Sequence, residues 1–263
     1  MNQTEHTAIV LRYVNYRDND RMLTLFSPTR GKLEAMCRGC RRPKSPLLNA
    51  SEIFALGDYE LYQKADRLTI TNVTLTEMFY PLREDFDRLA VGTYLLNLCE
   101  LAIQPGENAQ ELFMLLLHTL SRLTFTDQEW RPLLAGFLIH FAACEGYQPE
   151  LDACIQCGRI LEKEEALFLD LRGGGLVCRG CHEELLAQEK VLLHGQRAPQ
   201  YSIQNMHRPL AAAQLAWMKM ALRSGSASWV NETDCYAPTA LMREYVEMRL
   251  DQPVRSAGML PKE

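Results

Sequence analysis

Along residues 32–38 Leu33, Ala35 and Cys37 alternate with Lys32, Glu34, Met36 and Arg38, a period of two that turns one face inward and the other to water. Similar strand patterns run over residues 7–13, 22–26, 53–63 and 67–76, rich in β-branched and aromatic side chains. The turn at residues 27–31 makes a hairpin of the second and third strands, and the stretch 64–66 joins the last two. Five short strands in about eighty residues predict a small closed Greek-key barrel of the OB-fold type, whose face and loops commonly bind single-stranded nucleic acid.

After Tyr80-Pro81 the period becomes helical. Val91, Tyr94, Leu95, Leu98, Leu101 and Ala102 share one face, as do Leu112, Leu115, Leu116 and Leu120, and then Leu134, Phe137, Leu138 and Phe141. These stripes read as packed core. Residues 207–223 and 241–250 read as further helices. The predicted class is α+β and multidomain: an OB-fold DNA-binding domain over residues 1–79 and a helical domain over 80–150 and 186–250. A metal module is inserted at 151–185, and residues 251–263 are expected to be a disordered tail.

The inserted module carries the sharpest chemical signal. Cys154 and Cys157, then Cys178 and Cys181, form two C-x-x-C pairs twenty residues apart, the spacing of a four-thiolate zinc site. The gap reads as a short hairpin, with charged residues 162–165, an apolar run at 166–171 and Gly173 to Gly175 at its turn. Four thiolates fill a tetrahedron and leave no position for water, so the Zn²⁺ is expected to be structural. His182 and Glu184 form an H-x-E, but it follows the cysteines, unlike the deaminase order. His182 is a lesser candidate for fourth ligand. Gly173 to Gly175 lacks the Lys-Ser/Thr of a phosphate-binding loop, and no histidine pairs with a nucleophile in any motif, so no catalytic residue is assigned and the protein is expected not to be an enzyme.

Net charge is −5, with 11 basic against 9 acidic side chains in residues 1–80 and 17 against 24 in the rest. Within the first segment Arg30, Lys32, Arg38, Arg41, Arg42 and Lys44 are opposed by Glu34 alone. Guanidinium groups grip phosphate oxygens in forked hydrogen bonds, Gly39 allows close backbone approach, and Ser45 adds a neutral donor. The candidate DNA-binding residues are therefore Arg30, Lys32, Arg38, Gly39, Arg41, Arg42, Lys44 and Ser45. Tyr13, Tyr16, Tyr59 and Tyr62 are candidate stacking surfaces, some of which alternation must place in the core. No signal pattern opens the chain, the longest apolar stretch (133–144) is too short to span a bilayer, and nine cysteines with metal spacing suit a reducing compartment. A cytoplasmic protein without membrane contact is expected.

The chain resembles the RecO family of bacterial recombination mediators. The resemblance rests on the strand 7–11, the hairpin 23–33, the loop Arg38-Gly39-x-Arg41-Arg42-Pro43-Lys44-Ser45, the strand 59–62 and the two cysteine pairs. It implies an N-terminal OB-fold, a helical domain with an inserted zinc module, DNA binding, strand annealing and help in loading a recombinase in repair and recombination. It further implies RecR, single-stranded-DNA-binding protein and RecA as partners, and association with the nucleoid. Single-stranded DNA is the expected ligand, with double-stranded DNA left open. A zinc-stabilised protein-interaction module without direct DNA binding is the alternative. Cys40 departs from the family's small residue and makes a third C-x-x-C with Cys37, read as incidental because alternation points Cys37 inward.

Overall fold

A computed structural model of the protein describes residues 2–161, 167–193, 202–224, 237–250 and 252–261. The chain divides into two compact units, Met1–Trp130 with Gln252–Lys262, and Arg131–Asp251.

In the first unit five strands, β1 (Asn2–Tyr16), β2 (Asp20–Ser27), β3 (Gly31–Cys37), β4 (Leu56–Lys64) and β5 (Arg67–Glu77), close into a barrel in the order β1-β2-β3-β5-β4. β3 and β5 pair in parallel, whereas the other neighbours are antiparallel. The five strands run close to where alternation places them, with β1 longer at both ends than its β-branched centre suggests and β4 starting at Leu56 rather than at residue 53. Ala8, Val10, Leu23, Leu25, Leu33, Ala35, Tyr59, Leu61 and Ile70 fill the interior. Ile9 and Leu11, on the other face of β1, are also buried, so the centre of this strand is covered on both sides.

Two helices, α1 (Phe86–Ala102) and α2 (Gln110–Phe125), complete this unit. The Asp85 side chain caps α1 by accepting from the amides of Asp87 and Arg88. Arg88 in turn donates to the carbonyls of Leu123, Thr126 and Gln128, satisfying the free end of α2. Phe26 of the barrel meets Phe113 of α2 edge to face at 5.2 Å. The β2–β3 turn is sewn to the loop between the helices: Lys32 N–H donates to the Gln104 carbonyl (3.2 Å), Gly106 N–H to that of Arg30 (2.9 Å) and Ala109 N–H to that of Pro28 (2.9 Å). Gly31 makes this approach possible, because it sits at φ +60° and a Cβ there would run into the Gln104 carbonyl oxygen. Gly31→Val is expected to cost about 2 kcal/mol or more of stability, read by denaturant unfolding, from left-handed strain plus this collision.

Part of the stretch expected as a disordered tail is folded in the first unit. Val254 and Ser256 are buried, Ser256 N–H donates to Asn97 Oδ1 (3.2 Å), and a short 3₁₀ turn follows at Ala257–Met259. Low apolar content hid this because a few well-placed contacts suffice to hold a short segment.

The second unit contains α3 (Trp130–Cys144), a sheet of β6 (Glu150–Cys154), β7 (Leu167–Asp170), β8 (Gly175–Cys178) and β9 (His207–Leu210), and the helices α4 (Arg179–Leu193), α5 (Ile203–Met206), α6 (Ala212–Ser224) and α7 (Thr239–Glu247). The sheet order is β6-β8-β7-β9. The expected lone hairpin is thus part of a four-stranded sheet. Its fourth strand comes from residues 207–210, which the helical period had joined to α6. Pro209 cannot sit inside a helix but fits this edge strand. The charged residues 162–165, Ala166, His194 and Cys235 lie outside the described residues. Among the described residues, no helix is long and apolar enough to cross a membrane.

Candidate nucleic-acid interface and metal site

The basic loop leaves the end of β3 as a succession of tight turns: Arg42 N–H donates to the Gly39 carbonyl (3.2 Å), Ser45 N–H to that of Arg42 (2.9 Å) and Leu48 N–H to that of Ser45 (3.2 Å). Gly39 begins the run at φ +64°, a conformation that glycine adopts without cost. Its amide donates to Asp20 Oδ1 (2.8 Å), and Arg41 N–H donates to the Asn19 carbonyl (3.1 Å), which fastens the loop to the β1–β2 turn. Cys40 anchors it from below as part of the barrel core. Arg38, Arg41, Arg42 and Lys44 are exposed, and Ser45 is half-buried with its Oγ accepting from Leu47 N–H (3.3 Å). A fixed backbone therefore carries four cationic side chains into solvent.

The structure separates Arg30 and Lys32 from this cluster. They sit at the opposite end of β3, about 20 Å away along the strand, beside the turn sewn to the α1–α2 loop. Counting them together in sequence overlooked the length of the strand between them. Conversely, the β1–β2 turn brings in Arg17, which sequence proximity does not group with the loop. Arg17 is exposed, and its carbonyl accepts from Arg41 Nη1 at 3.5 Å. Only the register Tyr16↔Asp20, together with the Gly39 and Arg41 contacts, reveals the neighbourhood.

The four tyrosines have different fates. Tyr59 is fully buried and donates to the carbonyls of Ala50 and Ala55 (2.9 and 3.2 Å), and burial raises its pKa. Tyr13 packs against the core and lies under the Arg21 guanidinium at 3.8 Å. Arg21 is itself buried, donating to the Ser51 carbonyl and Oγ (3.0 Å each) and Glu52 Oε1 (2.7 Å), which makes it a structural arginine. Tyr62 is half-buried, and Tyr16 is 45% exposed at the end of β1.

Cys154, Cys157, Cys178 and Cys181 converge, their sulfurs all within 4.8 Å of one another and those of Cys157 and Cys178 at 4.0 Å. Sulfurs bonded tetrahedrally to one ion at 2.3 Å lie about 3.8 Å apart, so the arrangement can hold a metal ion. The end of β6 supplies Cys154, the end of β8 supplies Cys178, and Cys181 lies in the first turn of α4. Burial opposes ionisation of Cys154, but hydrogen bonds from the backbone of Cys178, Cys157 and Gln156 outweigh it and bring its pKa to about 6. Burial, followed by the neighbouring thiols of Cys178, Cys157 and Cys154, pushes Cys181 the other way. A cation between them removes that conflict, since it favours the thiolate at every position.

His182 is engaged elsewhere. Its ring stacks on Phe168 at 3.7 Å between centroids, and its Nδ1 shares a hydrogen bond with His207 Nδ1 (2.8 Å). His207 is buried, with Asp170 Oδ2 3.6 Å from its Nε2. Asp170 also accepts from the amides of Arg172 and Gly173 (2.9 Å each), fixing the triple-glycine turn between β7 and β8. Sequence order does not bring these two histidines together, because residues 207–223 read there as one helix. Cys37 is buried as alternation requires, and burial and then Cys40 raise its pKa, the opposite of a reactive thiol. Among the described residues, the four paired cysteines are the one group of three or more such side chains arranged to hold a metal.

Residues 1–79 match the family model for the N terminus of recombination protein O, and residues 83–256 match that for its C terminus. A protein of Desulforamulus reducens named DNA repair protein RecO is 27% identical over 255 residues, 97% of this chain and 93% of its own length. Proteins of the same name from Alkaliphilus metalliredigens and Acetivibrio thermocellus are 34% and 29% identical over 175 and 183 residues, covering 66% and 70% of this chain and 70% and 72% of theirs. With both models matched in chain order and the barrel and cysteine cluster in place, the chain belongs to the recombination protein O family of DNA repair proteins.

Proposed function

We propose that this protein is a non-enzymatic recombination mediator that binds single-stranded DNA through its barrel and anneals complementary strands. The observation that carries the reading is the exposed cluster Arg38, Arg41, Arg42 and Lys44 on a loop pinned to a closed OB barrel, with Arg17 beside it. Cations carried on a fixed loop backbone neutralise a phosphate backbone without the loop first having to be ordered. A strand lying along the outer face of β3 would also reach Lys32 and Arg30 at the far end. Annealing makes no covalent bond. It is accelerated when two phosphate backbones are neutralised while their bases stay accessible.

The four cysteines hold a structural Zn²⁺ in this reading. Four thiolates suit Zn²⁺ and saturate it, and the H-x-E histidine is committed to Phe168 and His207. RecR, single-stranded-DNA-binding protein and RecA are the proposed partners, in the cytoplasm and on the nucleoid, where the protein helps to load the recombinase. The test is duplex formation from two labelled complementary strands. Stoichiometric protein is expected to accelerate annealing at low salt and to lose the effect at high salt. Absence of acceleration with strands demonstrably bound would restrict the function to binding.

A further inference from the structure

The basic loop alone offers no reason to prefer an unpaired strand, since duplex DNA presents phosphates too. The preference requires a group that contacts base faces. After the bulge at Leu11, the outward positions of β1 are Arg12, Val14 and Tyr16. Arg12 is held by Glu100 (2.7 Å), but Val14 and Tyr16 are 51% and 45% exposed at the tip of the hairpin. The Arg17 guanidinium carbon lies 5.2 Å from the Tyr16 ring centroid. The same hairpin receives Arg41 and Gly39 from the basic loop. An aromatic ring and an aliphatic side chain are thus exposed on the hairpin that receives the basic loop, with Arg17 against the ring, Arg41 reaching the Arg17 carbonyl, and Arg38, Arg42 and Lys44 exposed on the same loop. Asp18 and Asp20 on the same hairpin offset two of the five positive charges, which leaves the neighbourhood net basic.

Resting on the DNA reading, we infer that Tyr16 is a stacking platform for unpaired bases and that it confers preference for single strands. A phosphate held by Arg17 or Arg41 leaves its attached base beside the Tyr16 ring. In a duplex both faces of each base are covered by neighbours, so the ring contributes only when the base is unpaired. Tyr13, under Arg21, and Tyr59, inside the barrel, cannot serve this purpose.

The test compares three probes of equal length, an oligothymidylate, an abasic strand with the same phosphates, and a duplex. Wild-type protein is expected to bind the oligothymidylate tightest. Tyr16→Ala should weaken that binding by about 5- to 100-fold and leave the abasic strand, the duplex and the salt dependence unchanged, while Tyr16→Phe and Tyr16→Trp retain wild-type discrimination. Tyr16→Ala binding the oligothymidylate as wild type does, or losing all three probes equally, would overturn the stacking role while leaving the DNA reading intact. Failure of the wild-type protein to bind any probe at low salt would overturn both.

Discussion

Cys178→Ser is expected to release the Zn²⁺ proposed for the four cysteines and melt the four-stranded sheet of the second unit. Cys178 is buried, joins β8 to α4, and donates its own N–H to Cys154 Sγ at 3.4 Å, so ligand and scaffold meet in one residue. The apolar cluster around it is small, with Cys154, Val177 and Cys178 at its centre and Ile155, Leu161, Phe168 and Cys181 at its edge. A core of that size cannot offset the ordering entropy of the strands it holds. Structural zinc sites contribute apparent free energies of about 10–16 kcal/mol, comparable with the whole stability of a domain. The variant should therefore contain no zinc by metal analysis and lose a cooperative unfolding transition by circular dichroism. A chelator should do the same to the wild type. Single-strand affinity is expected to change by less than about threefold, because the arginine loop belongs to a separate compact unit. A folded variant that had lost DNA binding would move the module from scaffold to binding site.

The second large effect is expected on the loop. Reversing Arg38, Arg41 and Arg42 to glutamate would remove the three phosphate contacts proposed for them and introduce three repulsive charges. Charge-assisted contacts each contribute about 1.5 kcal/mol or more, so the loss of single-strand affinity should be at least about 100-fold at low salt even after screening. All three side chains are exposed, and the turns beneath them are built from backbone hydrogen bonds, so the melting temperature should stay within a few degrees of wild type. The contrast is Arg21, equally basic and only seventeen residues before Arg38, whose hydrogen bonds are spent on Ser51 and Glu52 inside the fold.

The barrel was legible because its strands obey a local rule: Leu33, Ala35 and Cys37 face inward by alternation, and all three are buried. The cysteine cluster was legible for a similar reason, since C-x-x-C spacing encodes a knuckle within four residues. What escaped was non-local. Arg17 and Asp20 meet the basic loop through contacts spanning some twenty residues of chain, which no motif reports. Arg30 and Lys32 looked like loop neighbours until the extended geometry of β3 set them apart. The strand His207–Leu210 was hidden by the helical pattern that follows it, and with it the Asp170–His207–His182 chain.

In the proposed function the arginine loop binds single-stranded DNA by displacing counterions from its phosphates. This is tested most directly by titrating a labelled oligothymidylate at two or more salt concentrations, with wild type and with the Arg38/Arg41/Arg42 charge reversal. Log affinity is expected to fall steeply with log salt for wild type, and the variant's slope to be shallower by about 2, close to 0.7 for each of three lost phosphates. Wild-type affinity and slope in the charge-reversed protein would contradict it.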